Sequence, residues 1–396
     1  MHMRTPEQPP AVIVGLNDAA MSIVRSLGQK GIQIIGLHDD NAKEYYISSK
    51  YISQKVKTPL AGEPLVSTLV DIARTLREPR VLFCTNDNSV MSVAQNEAQL
   101  RPFFRFVIPP YEVANRHISK KGLHEFAQEN SFLVPSTAFA FGKREIEEAG
   151  DAISFPCIIK PEFRDQTWSE KVPYKVLFAE SREDFLQLVE KYELYEISLV
   201  IQEWIDGDDN EVYFCLAYLN RNQNPLALCT ARKLRQYPHL TGSTSIAETV
   251  RVPEIVTESL RFLKTAGCIG FCSVEFKRSK RNGLFYITEP TIGRPDTQEG
   301  IFLSAGLDVP YVAYLDALGQ EIAPLGDFEE GIKWINEPLE FYCFQICLRN
   351  GAKLTDFVKP YKGRRSYALW SRRDVMPILG FYRGKIMRGF QRFRKT

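Results

Sequence analysis

The chain has 396 residues, 44% of them hydrophobic and 25% charged, which is ordinary globular composition with length for two to four packed units. Fifty Lys and Arg against 48 Asp and Glu leave a formal net charge of +2, so no specific nucleic-acid partner is expected. The polar start MHMRTPEQPP lacks the apolar run of an export signal, and no stretch approaches the ~20 apolar residues that cross a bilayer, so a cytoplasmic protein is expected.

Residues 11 to about 115 alternate short apolar strands with helical patterns. AVIVG (11–15), IQIIGLH (32–38), VLFC (81–84) and FRFVIPP (104–110) read as strands, and Ala19 to Lys30 and 65–77 as helices. Strands separated by helices of this length predict a parallel, doubly wound α/β sheet. Its first strand–helix turn, GLNDAAMSIV, has one glycine where a dinucleotide fingerprint needs G-x-G-x-x-G, so that the backbone can approach a pyrophosphate. Asp39 and Asp40 stand where a ribose-binding acid would, but equally suit a strand-end turn. A nicotinamide cofactor is therefore not expected.

His117 to Asn130 reads as a helix closed by VPST. An α+β region follows, with strands CIIKPE (157–162), YKVLFA (174–179), SLVIQEWI (198–205), EVYFCLAYLN (211–220) and LALCTARKL (226–234) and helices over 182–193 and 253–266. Two more strands, FCSVEFK (271–277) and LFYITEP (284–290), are joined by the polar turn RSKRNG. Long strands with hairpin turns predict mainly antiparallel pairing. Beyond about residue 306 the text is more helical and irregular. The eight cysteines lie mostly in apolar, strand-like text, and no histidine accompanies the closely spaced pairs Cys268/Cys272 and Cys343/Cys347, so reduced core thiols are expected rather than zinc ligands.

The end of the chain is strongly basic. From Lys362 onward eleven Lys and Arg face only Asp374, and GFYRGKIMRGFQRFRKT interleaves them with Phe381, Tyr382, Ile386, Met387, Phe390 and Phe393. This spacing suits a helix on an anionic membrane or polyanion, with the peripheral contact carried by residues 381–396. A tail docked on the protein's own surface, or solvated, is the competing reading.

Two acids stand out among the remaining residues. Alternation along CSVEFK puts Glu275 and Lys277 on one face, Glu289 ends the neighbouring strand, and the short turn lets the two strands pair. Two carboxylates facing one cleft form a seat for the magnesium of a bound nucleotide, or a cross-strand pair balanced by nearby lysine or arginine. Lys160 ends the apolar run CIIK as an isolated cation. The backbone of Glu203 and Ile205, in SLVIQEWIDG, suits an adenine edge, and Glu211 suits ribose hydroxyls.

The order of these residues resembles the ATP-grasp superfamily, in particular its predicted carboxylate–amine ligases near D-aspartate ligase, over roughly residues 10 to 320. The resemblance implies a Rossmann-like N-terminal domain (1–115) followed by a two-lobed ATP-grasp fold (116–200 and 201–320) and a helical, irregular basic extension (321–396). It implies that Lys120, about fifteen residues before Pro135, and Lys160 bind phosphate, that Gln202, Glu203, Trp204 and Ile205 form the adenine hinge, and that Glu211 holds ribose. Glu275 and Glu289 match the metal ligands. Thr291 stands where most relatives have asparagine, a weaker ligand in that place. In ARKLRQYP, Lys233 and Arg235 become candidates to hold phosphate or acyl-phosphate charge, and Arg294 to orient the carboxylate, with a structural salt bridge as its rival role. The usual glycine-rich lid is replaced by FRDQTWSEKVPYK (163–175), in which Arg164, Trp168 and Lys175 stand in as side-chain donors.

The activity so implied uses ATP with Mg2+ (or Mn2+) to turn a small-molecule or glycan-linked carboxylate into an acyl phosphate, which an amine then displaces. Cell-surface polysaccharide or envelope metabolism is the implied setting, and a homodimer is left open. The alternatives are an ATP-dependent phosphorylating or carboxylating enzyme on the same scaffold, and a nucleotide-binding module without turnover.

Overall fold

A computed structural model describes residues 8–74, 79–162, 166–351 and 353–393. The N-terminal strands Ala11–Val14, Ile34–His38, Ile52–Lys57, Arg80–Cys84 and Phe104–Arg105 form one wholly parallel sheet. Ala11–Val14 is central: the chain first builds outward through the second and third strands, then returns to pair the fourth on the other side. Both faces of this strand are buried, as its unbroken apolar run requires. The expected strand over 104–110 shrinks to Phe104–Arg105, since Pro109 and Pro110 have no N–H to donate to a ladder.

The helix expected over 117–130 is two helices, Tyr111–Ile118 and Lys120–Glu129. Ser119 divides them: its backbone is extended and its hydroxyl accepts the Gly122 N–H, an N-cap inside what reads as one apolar period.

The second region holds two sheets. The smaller is antiparallel, in the order Thr137–Ala140, Leu199–Glu203, Cys157–Pro161, Leu177–Ala179. The larger runs Phe285–Ile292, Gly270–Arg278, Val212–Leu219, Pro225–Tyr237, Ser243–Thr249, Lys333–Ile335, Arg365–Tyr367. Its last two strands come from the segment that reads as helical and irregular. Three residues each are too short to show a period of two, and only the edge of a preformed sheet selects them.

Cores divide the molecule differently from sequence order. Ile23 and Leu27 of the first helix, Phe214 and Tyr218 of the large sheet, Val309 and Val312 behind it and Phe381 near the end belong to one apolar cluster. The small sheet and its helices have a separate cluster around Ile159, Phe185, Leu199 and Ile201. The C-terminal segment is clamped to the first helix: Arg25 donates to the carbonyls of Ala368 and Leu369 and pairs with the fully buried Asp374, which also accepts from Ser49 Oγ at 2.8 Å. None of the described helices is long and apolar enough to cross a membrane.

Candidate active site

The register of the large sheet sets Glu275 directly opposite Glu289, and Ser273 opposite Thr291. Directly opposed residues of antiparallel strands share a face, so both acids and the Thr291 hydroxyl project to the same side. The pairing slips immediately after Glu275. Thr288 is the extra residue, and its hydroxyl lies 3.3 Å from Glu275 Oε1. Glu289 is exposed, Glu275 half-buried and Thr291 buried. Lys233, nearly enclosed two strands away, places its ammonium 2.8 Å from Glu275 Oε2 and also reaches Gln236 Oε1 and Gly242 O. The cross-strand pair with a nearby lysine and the convergent acid pair are thus both present in one site.

Strand alternation delivers Lys160. In Cys157–Pro161, Cys157 and Ile159 turn into the small lobe's core, which puts Ile158 and Lys160 on the other face. Lys160 Nζ donates to Gln202 Oε1 at 3.1 Å, and Gln202 Nε2 donates to Thr137 Oγ1. Burial lowers the Lys160 pKa to about 8, Glu289 acts to raise it, and Lys120 and Lys175 act to lower it. Lys120, Lys175 and Glu289 are therefore each near enough to Lys160 to act on its charge. Lys120 Nζ donates to the carbonyls of Pro161 (2.7 Å) and Glu162 (2.8 Å), fixing the end of the strand that presents Lys160. Lys175 donates to Thr241 O at 3.2 Å, linking the lid segment to the large sheet's side.

The hinge is braced from both sides. Glu203 exchanges backbone and side-chain bonds with Ser136, so its N–H is already occupied, and the Trp204 N–H donates to Pro156 O. Trp204 meets Phe178 edge-on, and Ile205 is buried. Lys277, on the Glu275 face, donates to Gly207 O and Asp208 O and so holds the turn leading to Glu211. Glu211 Oε2 lies 4.0 Å from Arg278.

Two expectations need correction and one falls outside the described residues. Trp168 is not a cleft donor. It is 5% exposed in the small lobe's core, where its indole N–H finds Tyr174 O, and the lid text around it forms the short helix Gln166–Lys171. Arg235 does not join Lys233. The ladder is irregular between these residues, and the Arg235 guanidinium is engaged by Glu340 Oε2 at 2.5 Å, by Phe357 O, and by the Phe357 ring on which it stacks. Arg164 lies outside the described residues.

Arg294 bridges to the N-terminal sheet. Its Nε and Nη2 bind the two carboxylate oxygens of Asp87 at 2.5 and 3.2 Å. Burial pulls the guanidinium's pKa down, but Asp87, Asp296 and Glu289 outweigh it and leave the pKa raised. Asp87 opens the helix after Arg80–Cys84, and Asn17 and Asp18 open the one after Ala11–Val14. These two turns flank the point where the strand order reverses, the usual ligand crevice of an open parallel sheet. Gly15 is required there: at φ +98°, an added Cβ would stand 2.5 Å from Thr85 Oγ1 and 2.9 Å from Asn86 Nδ2. Asp18, half-buried and accepting from the Tyr46 hydroxyl, has its pKa raised to about 6 by desolvation. Asn17, Asp18 and Asp87 look like ordinary helix starts in the sequence, and the strand order that sets their two turns side by side is not written there.

No protein-family model matches the sequence. A D-aspartate ligase of Enterococcus faecium (strain Aus0004) is 22% identical over 258 residues, a match that covers 61% of this chain and 61% of that protein. The chain thus matches less than two thirds of that relative's length. The biotin carboxylase domain of a Hydrogenobacter thermophilus 2-oxoglutarate carboxylase, crystallised with MgADP, ADP and bicarbonate, superposes with a TM-score of 0.62 at 12% identity, over 83% of this chain and 74% of that one. An L-amino acid ligase from Bacillus licheniformis gives 0.58 at 15% identity, over 79% and 75%. Identities this low speak for the fold alone: the chain shares the fold of these carboxylase and ligase structures.

Proposed function

We propose that this chain is an ATP- and magnesium-dependent ligase that activates a carboxylate as an acyl phosphate and couples it to an amine, releasing ADP and phosphate. The observation that carries the reading is the direct register of Glu275 with Glu289, with Glu289 acting on the charge of Lys160 in the small lobe. The names of the D-aspartate ligase and the L-amino acid ligase support the bond type, and the MgADP complex supports the nucleotide and metal.

The donor set fits a magnesium nucleotide. Among the described residues no three His, Cys, Asp or Glu side chains gather into a metal cage. Two carboxylates with the Thr291 hydroxyl are what a hard ion needs when phosphate oxygens and water complete its shell. Glu275, Glu289 and Thr291 would hold Mg2+ (or Mn2+), which neutralises phosphate charge when bound. Lys120, Lys160 and Lys175 face the phosphates, Gln202 to Ile205 face the base, and Glu211 the ribose. Lys233, which pairs with Glu275 in the free protein, would meet acyl-phosphate charge. Arg294, its plane held by Asp87, orients the carboxylate beside the crevice at the strand-order reversal. Positioning and fixed charge do the work, as is general in phosphoryl transfer.

The test is ADP release screened across carboxylate and amine pairs, D-aspartate first among them and envelope-derived carboxylates included, with the product mass measured. Amine-dependent ADP release with an amide mass is expected. Release that needs bicarbonate but no amine would favour the carboxylating alternative, which the carboxylase neighbour keeps in view. Nucleotide binding without release under any pair would favour a module without turnover. If neither Glu275→Ala nor Glu289→Ala alters magnesium-dependent nucleotide binding or ADP release, the site is assigned wrongly.

A further inference from the structure

The C-terminal helix Met376–Phe393 has two unlike sides. One is anchored. Ile378 and Phe381 are buried, Phe381 meets Tyr45 and Phe341 edge-on, and Lys385 lies over the Phe341 and Tyr342 rings and donates to Tyr342 Oη at 2.8 Å. Gly380 allows this close docking: a Cβ there would stand 3.3 Å from the Tyr45 Cα.

The other side is apolar and open. Met376, Leu379, Tyr382, Ile386 and Met387 are 48–59% exposed. At about 100° per residue they fall on one arc, roughly opposite Phe381, with Arg383 inside it. No acid occurs after Asp374, and Asp374 itself is buried in its pairing with Arg25. Arg372 and Arg373 are exposed just before the helix, beside the exposed indole of Trp370. Arg388, Arg392, Arg394 and Lys395 follow in sequence. Since the whole chain carries only +2, this basic end is balanced by a net acidic remainder.

We propose that this helix lies on the surface of an anionic lipid bilayer. The open arc enters the boundary between headgroups and acyl chains, and Arg383, Arg372 and Arg373 meet lipid phosphates. A stripe of Leu, Ile, Met and Tyr among arginines, on a helix lying flat, is the pattern of an interfacial anchor. Arg383 decides against a second copy of the chain. In the middle of a protein interface it would need an acid opposite it, and its own helix supplies none. At a membrane its long stem stays apolar while the guanidinium reaches the headgroups. The anchored side leaves the arc outward-facing without unfolding anything.

The test is sedimentation of the full chain with phosphatidylcholine vesicles and with vesicles that also contain phosphatidylglycerol. Recovery with the anionic vesicles only, falling as salt is raised, is expected. The double variant L379E/I386E, at exposed positions, should lower that recovery at least tenfold while melting and ADP release stay as in the parent. Should that variant melt early, Y382W in the otherwise native chain replaces it, and a blue shift of the new indole on adding anionic vesicles is expected. The proposal is overturned by equal recovery of parent and double variant, by absence of recovery or blue shift with anionic vesicles at low salt, or by self-association that the double variant abolishes without any vesicle binding.

Discussion

Glu275 and Glu289 owe their opposition to backbone register, so their separation does not depend on any side-chain contact between them. Glu275→Gln or Glu289→Gln should keep the fold and lower magnesium-dependent ADP release by roughly 100-fold, the scale of losing one fixed charge at a phosphoryl site; release within a few-fold of the parent would remove that residue from the site. Lys160 gives a pH signature. Its pKa is lowered from 10.5 to about 8, chiefly by burial, so between those values the unfolded chain binds more protons than the folded one. Stability of the free protein should therefore gain from this group as pH rises from about 8 toward 10.5. Nucleotide affinity should fall over the same rise, because the ammonium that meets phosphate is lost. Calorimetry of ADP binding at pH 7 and 9 checks this, and Lys160→Met should flatten the difference. At this scale the sequence was informative where a residue type stands alone in an apolar strand, as Lys160 does. It was silent on the contacts of Asp87 with Arg294 and of Asp18 with Tyr46, because nothing local marks which distant group a helix-opening acid will meet.

Alternation along Cys157–Pro161 and Gly270–Arg278 is enough to say which side chains share a face, and the structure arranges them as that period requires. Ladder irregularities break the same logic. Arg235 lies two residues from Lys233, and strict alternation would give them one role, yet a slip between them sends Arg235 to Glu340. Glu340 is 4% exposed and also accepts the Tyr361 hydroxyl at 2.6 Å, so it ties the helix Glu337–Arg349 to the segment that follows it. Glu340→Ala strands a partly buried guanidinium and should cost about 3 kcal/mol in urea unfolding, whereas a loss below about 0.5 kcal/mol would mean the tie is dispensable. The two helices divided at Ser119 tell the same story: the cap was present in the text, but the apolar period ran across it.

The whole molecule divides by cores rather than by sequence order. The parallel sheet, the large sheet and the C-terminal segment share one apolar cluster, while the small lobe that carries Lys160 has its own. A body with a separate core can open without disturbing its neighbour. Amide exchange in Cys157–Pro161 and Leu199–Glu203 should thus be faster than in Ala11–Val14 in the free protein, and should slow when MgADP is added; equal rates, unmoved by nucleotide, would mean the lobes act as one unit. By itself the sequence determined the parallel and antiparallel halves, the faces of the strands and the chemistry of the acids and lysines, because periods of two and 3.6 and the residue types are local properties. Only the tertiary structure decided the Arg294–Asp87 bridge, the Asp18–Tyr46 contact, the burial of Trp168, the last two strands of the large sheet, and which side of the last helix is covered. Each of these depends on a partner far away in the chain, and no local pattern records which distant surface will be there to meet it.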